Sequence, residues 1–310
     1  MPMSLVTIIA ALLLDRARPL PASSPLLGWF RTYTDRLALD LNAGKPVHGA
    51  IGWLAAVCPW AVLALVVFFL LNAVDPVPGW LWSLVVLYAC LGFRNVLQAL
   101  KDLYDALHAG DVERARQLLL EWRGESASEY GESDLAKVAV ETAILRAQRE
   151  LFGVLFWFVL LPGPTGAVLY RLASDLESRW GRRYDEDFVA FGRFAQRAFH
   201  LLDWIPVRLA AISFAIAGDF EDAVSSWRTQ AQAWLDPEDG IVLASGAGAM
   251  GVQLGGPLPR EIGVDFRPDL GEGDVPDAEH LQSTIYLLWR ALIVWLTVLL
   301  IFTLAHWVGS

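Results

Sequence analysis

An acid and a guanidinium flank an apolar turn in Asp203-Trp204-Ile205-Pro206-Val207-Arg208-Leu209, and a further arginine, Arg228, follows in Ser226-Trp227-Arg228-Thr229-Gln230. Arg208 opens the apolar stretch Leu209 to Ala217, where a guanidinium is costly unless a carboxylate or a phosphate meets it. Two readings follow: Arg208 and Arg228 bind a phosphate or carboxylate ligand, or Asp203 and Arg208 form an internal pair. Nearby, Ala217-Gly218-Asp219-Phe220-Glu221-Asp222-Ala223 repeats the earlier phrase Ala109-Gly110-Asp111-Val112-Glu113-Arg114-Ala115. Its plainest meaning is a helix ended by Gly and a new one capped by Asp, with acids at the positive helix end. Asp111 fits that role. Asp219 and Glu221 lie beside the denser polar cluster and stand as candidates for catalysis as well.

A glycine-rich segment is the third chemical feature. Ala244-Ser245-Gly246-Ala247-Gly248-Ala249-Met250-Gly251 follows a short β-like run, Ile241-Val242-Leu243, and fits G-x-G-x-x-G, with Asp265 near the place of a ribose-binding acid. Gly255-Gly256-Pro257 and Pro259 interrupt the chain before a crossover helix could complete a βαβ unit, which argues against dinucleotide binding. Ser245, Gly246, Gly248 and Gly251 then belong either to a small-residue helix built for close packing or to a glycine-rich turn that admits phosphate. Gly44-Lys45 lacks the upstream glycine of a P-loop, and the five histidines form no zinc spacing.

The elements that position these residues are helices meeting lipid. A hydrophobic fraction of 55%, a mean hydropathy of +0.42 and 14 Trp in 310 residues exceed what one soluble core needs. A net charge of -10 argues against nucleic acid as a partner. The acidity is concentrated: Asp219 to Glu279 holds thirteen Asp or Glu against three Arg, the signature of a solvated face. Cys58 and Cys90 each sit in an apolar run, so no disulfide framework is expected.

Measured against a bilayer core of ~30 Å, which takes about 20 helical residues, Ala50 to Val74 spans easily. The chain then turns at Asp75-Pro76-Val77-Pro78-Gly79 into an uncharged run closed by Arg94, so membrane segments 50–74 and 77–93 read as a helical hairpin. Segment 151–170 is apolar but contains Pro162-Gly163-Pro164, which predicts a broken or re-entrant helix. Segment 291–308 closes the chain, with Trp289, Trp295 and Trp307 placed for an interfacial aromatic belt. Segment 4–14 is too short to span and is expected as a partly inserted helix. The polar regions 94–150 and 171–290 read as mainly helical, giving an all-α, polytopic membrane fold over one unit, 1–310.

Taken together these pieces resemble a known family, the membrane-bound adenosylcobinamide-phosphate synthases (CobD/CbiB), with their relative AmpE, a modulator of β-lactamase induction. The resemblance covers most of the chain. Its most specific pieces are Leu155-Phe156-Trp157, Gly166-Ala167-Val168-Leu169-Tyr170-Arg171, Asp203 to Leu209, and Gly248-Ala249-Met250-Gly251-Val252-Gln253-Leu254-Gly255-Gly256. It implies a multi-pass protein of the cell inner membrane that joins a corrinoid carboxylate, that of adenosylcobyric acid, to aminopropanol phosphate at the expense of ATP, with Mg²⁺. Such chemistry needs acids for the metal and arginines for phosphate. Carried over position by position, Glu141, Trp204, Pro206, Arg208, Gly248, Gly251, Gly255 and Gly256 agree with the synthase pattern. The catalytic candidates are therefore Glu141, Asp203, Asp219 and Glu221. The phosphate-binding candidates are Arg208, Arg228, Ser245, Gly246, Gly248, Gly251, Gly255 and Gly256.

Departures from the pattern matter equally. Where the synthases carry Glu-Asn, two residues and Asp, this chain has Leu145-Arg146 and Arg149, so an acidic patch is expected to have become basic. Phe199-His200 replaces an acidic pair, Asp203 an Asn, and Gln253 an Arg, while Asp203-Trp-x-Pro-Val-Arg-Leu-Ala and Arg149 look like AmpE. These replacements predict weak turnover with Mg²⁺-ATP unless Glu141, Asp203, Asp219 or Glu221 takes over. A non-catalytic, AmpE-like membrane regulator that binds a nucleotide or phosphorylated ligand is the alternative.

Overall fold

The structure is a computed structural model that describes residues 2–18, 25–42, 44–183, 185–260 and 263–308. It is a helical membrane protein, and its contacts gather into two compact units, each made of two chain segments: residues 1–92 with 149–204, and residues 93–148 with 205–310. Four stretches among the described residues are long and apolar enough to cross a membrane: Pro46–Val74, Pro76–His108, Phe188–Ala217 and Ala278–Val308.

The first unit contains α1 (Pro2–Ala17), α2 (Pro25–Leu41), α3 (Pro46–Val74), α4 (Pro76–Cys90), α8 (Gly153–Leu160), α9 (Thr165–Leu176) and the first part of α10 (Glu186–Ala217). Asp75 joins α3 to α4. Its N–H donates to Leu71 O, ending α3, while its side chain accepts from Val77 N at 2.8 Å, and Pro76 occupies the first turn of α4. Leu54, Val62, Val66, Phe69 and Leu70 of α3 are exposed, an apolar face that lipid must cover. α1 packs on α4, and α2 packs on α3, where Tyr33 Oη donates to Ala55 O at 3.0 Å and Trp29 meets Trp60 edge-on.

At Pro162-Gly163-Pro164 the helix does break. α8 ends at Leu160 and α9 starts at Thr165, with Gly163 at φ +60. The two helices pack antiparallel: a Cβ on Gly153 would collide with Tyr170, and one on Gly166 would collide with Trp157 O. Each glycine thus permits the close approach of the other arm. α8 is not a free-standing helix: helical backbone runs unbroken from Glu132 through a π-turn to Leu160. Arg149 and Glu150 stand just before its apolar end, however, and neither arm is among the four stretches long and apolar enough to cross.

The second unit contains α5 (Phe93–His108), α6 (Val112–Arg123), α7 (Glu132–Ala147), the end of α10, α11 (Phe220–Gln230), α12 (Pro237–Met250) and α13 (Ala278–Val308). Between α12 and α13 run two small antiparallel ladders. β1 (Leu254–Gly255) pairs with β4 (Asp269–Leu270), and β2 (Leu258–Pro259) pairs with β3 (Val264–Asp265). Both copies of the repeated phrase are helix punctuation: Asp111 accepts from Arg114 N at 2.9 Å and Asp219 from Asp222 N at 3.0 Å.

Three sequence expectations change here. Residues 188–217, counted within a polar region, form part of one long helix, α10, which is apolar enough to cross because from Leu201 on it carries only Asp203 and Arg208 as charges. The apolar stretch Leu209 to Ala217 is the end of that helix and not a separate one, since α10 continues through Pro206. Ile241-Val242-Leu243 is helical: Asp236 accepts from Glu238 N and Asp239 N, Pro237 opens the first turn, and full burial on all sides overrides the β-branched pair. The three tryptophans expected at the interface differ in surroundings: half-buried Trp289 packs edge-on against Phe93, half-buried Trp295 donates Nε1 to Ser213 Oγ, and Trp307 is exposed.

Candidate functional site

In the second unit, Glu141 and the glycine segment form one construction. α7 starts where Asp134 accepts from Gly131 N, carries acids in its first turn, and is buried along most of its length, placing Glu141 at 4% exposure in the core. Glu141 Oε1 accepts from Gly255 N at 2.8 Å. Arg267 completes the arrangement: Nη1 donates to Glu141 Oε2 at 2.7 Å and Nη2 to Oε1 at 3.1 Å, a bidentate pair. The same guanidinium donates to Gly255 O and Gly256 O, both at 3.1 Å, and lies 5.5 Å from the centre of the Trp234 ring. One buried carboxylate and one arginine thus clamp both peptide groups of the Gly255-Gly256 turn.

The turn must be glycine. Gly255 and Gly256 have φ of +73 and +70, and a Cβ on Gly255 would collide with Pro268 O. Beside Gly256 the space is bounded by Asp269 and by Lys137, which stands one helical turn before Glu141 on α7.

In the first unit, charge gathers at the open end of the α8–α9 hairpin. A π-helical turn, Gln148–Phe152, leads into α8, and a second, Glu177–Gly181, follows α9. Such turns recur where side chains need re-aiming, often at functional sites. Arg149 Nη1 donates to Glu177 Oε2 at 2.8 Å, Arg182 Nε donates to Glu177 Oε1 at 2.9 Å, and Arg149 also lies 5.1 Å from the centre of the Phe199 ring. Arg171 Nη1 pairs with Glu150 Oε1 at 3.3 Å, and Glu150 O accepts from Gly92 N. Three arginines here meet two glutamates, so the patch expected to be basic keeps a positive excess although each of the three has an acid beside it.

The remaining candidates separate by environment. Asp203 is buried and Oδ1 accepts from Tyr170 Oη at 2.7 Å, with Trp157 Nε1 donating to the neighbouring Leu202 O. Arg208 is half-buried, and Arg228, Asp219 and Glu221 are exposed. Ser245, Gly246 and Gly248 lie inside buried α12. Ser245 Oγ donates to Ala211 O, a Cβ on Gly246 would press on Ile144, and one on Gly248 would collide with Asp222 O. Close packing, one of the two readings of this segment, accounts for all three. Gly251 ends α12 at φ +67. The fold thus joins Glu141 to Gly255 and Gly256, while Asp219 caps its own helix.

Sequence reasoning missed Arg267, Glu177 and Lys137. Arg267 lies 126 positions from Glu141, so no local spacing could link them. Lys137 was within reach, since a cation four residues before a buried acid shares its helix face.

A family model described as CobD/Cbib protein matches residues 8–288. The chain is 36% identical to the cobalamin biosynthesis protein CobD of Stutzerimonas stutzeri, over 95% of this chain and 96% of that one. It is 34% identical to the CobD of Chromobacterium violaceum, over 92% of each, and 28% identical to that of Mycobacterium tuberculosis, over 83% of this chain and 79% of the other. No solved structure matches it. Sustained likeness through both chain segments of both units means that the chain belongs to the CobD/CbiB family.

Proposed function

We propose that this protein works in cobalamin biosynthesis at the cell inner membrane, joining the carboxylate of adenosylcobyric acid to the amine of aminopropanol phosphate. The observation that carries the reading is the clamp of Glu141 and Arg267 around Gly255-Gly256, a pre-organised turn on residues that match the synthase pattern. Mg²⁺-ATP enters as a substrate that activates the corrinoid carboxylate. Glu141 and Asp203 are each engaged by protein donors, so their part is to orient, and the arginines neutralise charge.

A second reading, a ligand-binding regulator of the AmpE kind, is favoured by one observation: Arg149 is committed to buried Glu177, where the synthases carry an acid. Complementation of a strain lacking its cobinamide-phosphate synthase separates the two. Growth without added cobinamide supports the synthase. Absence of growth despite normal membrane levels, with no amide formed by purified protein given Mg²⁺-ATP and both substrates, would leave the regulator ahead.

A further inference from the structure

Away from the Glu141 clamp, the second unit carries a cavity of about 450 Å³ between the α6–α7 loop and the tip of the β2–β3 hairpin. Its walls are polar. Glu125, Ser126, Ser128, Glu129 and Tyr130 come from the loop, and Pro259 and Arg260 from the hairpin. Tyr130 is 7% exposed, yet among the described residues its hydroxyl has no hydrogen-bond partner. A buried phenol ordinarily finds one. Its backbone is fixed, since Arg116 Nε and Nη2 donate to Tyr130 O at 3.1 and 3.0 Å and Tyr130 N donates to Ala127 O. The hairpin wall is fixed as well: Arg260 N donates to Gly263 O, and Arg260 Nη2 donates to Asp265 Oδ2 at 2.6 Å. Tyr130 and Glu125 lie within electrostatic reach of that guanidinium.

We propose that this cavity binds a small uncharged polyol, a sugar or cyclitol without phosphate, through Tyr130, Glu129, Arg260 and the Ser126–Ser128 pair. The chemistry of the walls alternates. Glu129, which pairs with no cation among the described residues, can only accept hydrogen bonds, Arg260 can only donate them, and Tyr130 Oη can do both. Ser126 Oγ and Ser128 Oγ lie 3.2 Å apart, and whichever of them donates in that bond, the other keeps its hydrogen for a ligand. A simple cation would leave the donors unmet and would face Arg260 and Arg123. A phosphate would leave the acceptors unmet and would face Glu125, Glu129 and Asp265. Hydroxyl groups, which donate and accept, satisfy both kinds of partner at once, and Pro259 offers an apolar patch to the carbon face of a ring. Because loop and hairpin are each held by their own bonds, little order has to be imposed on binding.

The test is saturation-transfer NMR on the full chain in nanodiscs, which keeps glycosidic detergents out of the sample. D-glucose, D-xylose, myo-inositol, L-serine, inorganic phosphate and methylguanidinium are titrated separately. At least one polyol should bind saturably, and more tightly than serine, phosphate or methylguanidinium. Tyr130→Phe removes one oxygen and keeps the buried ring, so the melting temperature should hold while polyol affinity falls about threefold to tenfold, as for one neutral hydrogen bond. Glu129→Gln should weaken the polyol about tenfold or more, because a bond to a carboxylate is charge-assisted. Glu129 is exposed and has no described partner to lose, so misfolding cannot imitate that result. Serine, phosphate or methylguanidinium binding more tightly than every polyol would overturn the proposal. So would the absence of saturable polyol binding, or parental affinity in both Tyr130→Phe and Glu129→Gln.

Discussion

Buried charge is handled differently in the two units. In residues 1–92 with 149–204, Glu177 is shared by two arginines and Arg171 has its own acid, so charge meets charge several times over at the mouth of a helical hairpin. In residues 93–148 with 205–310, a single carboxylate, Glu141, meets a single arginine, and the surplus donors go to backbone carbonyls of a glycine turn. The first arrangement is redundant and holds helices. The second has no spare partner and holds a backbone shape, the more demanding task and the one suited to a ligand.

The largest expected effect breaks that contrast most directly. Arg267→Met leaves Glu141 buried with one N–H donor and should cost about 3–5 kcal/mol, whereas Arg149→Met leaves Glu177 with Arg182 and should cost about half as much. Thermal unfolding in detergent, compared side by side, checks the ranking; equal losses would remove the distinction between redundant and single pairing. Next, Gly248→Ala in the second unit drives a methyl into the fixed carbonyl of Asp222, and Gly153→Ala in the first drives one into the buried Tyr170 ring, which Asp203 holds by a hydrogen bond. Each should lose about 2 kcal/mol or more, by the same measurement.

Smaller still, Asp219→Ala removes a helix cap and should cost about 1 kcal/mol without altering turnover in an amide-formation assay. A loss of activity at unchanged stability would instead return Asp219 to the catalytic list. The smallest effect concerns pH. Burial alone would raise the Asp277 carboxyl, but the hydrogen bond and charge of His280 hold it below its ordinary value. Its contribution is therefore present above the ordinary carboxylate range and is lost as pH falls through the lowered folded value. Asp277→Asn should lower the melting temperature slightly at neutral pH and flatten the acid-side decline, so that variant and parent converge at low pH.

Much of this was legible in the residues themselves. Uncharged runs announced the α3–α4 hairpin and α13, Pro162-Gly163-Pro164 announced a break, and the Gly-Asp phrases announced caps, because each is governed by neighbours in sequence. The G-x-G-x-x-G spacing left close packing and a phosphate turn equally open, and only the burial of α12 shows how tightly its small residues pack. Arg267 and Glu177 were invisible for a different reason. Their partners are brought to them by tertiary structure, and a single sequence carries no trace of pairings over such separations.

The short α8–α9 hairpin also bears on biogenesis. A translocon sorts segments largely by length and hydrophobicity, and an apolar run that starts after Arg149 and Glu150 and is broken at Pro162-Gly163-Pro164 gives it little to recognise as one span. The α3–α4 hairpin, against which α9 packs and whose Phe68 abuts Gly163, ends at Cys90, well before α8 begins at Gly153, and can already be in the bilayer when the later hairpin emerges. Insertion of residues 153–176 then becomes a docking event onto a finished protein surface. Slowing or misorienting α3–α4 should strand the later hairpin in the aqueous phase and deliver the chain to quality-control proteases.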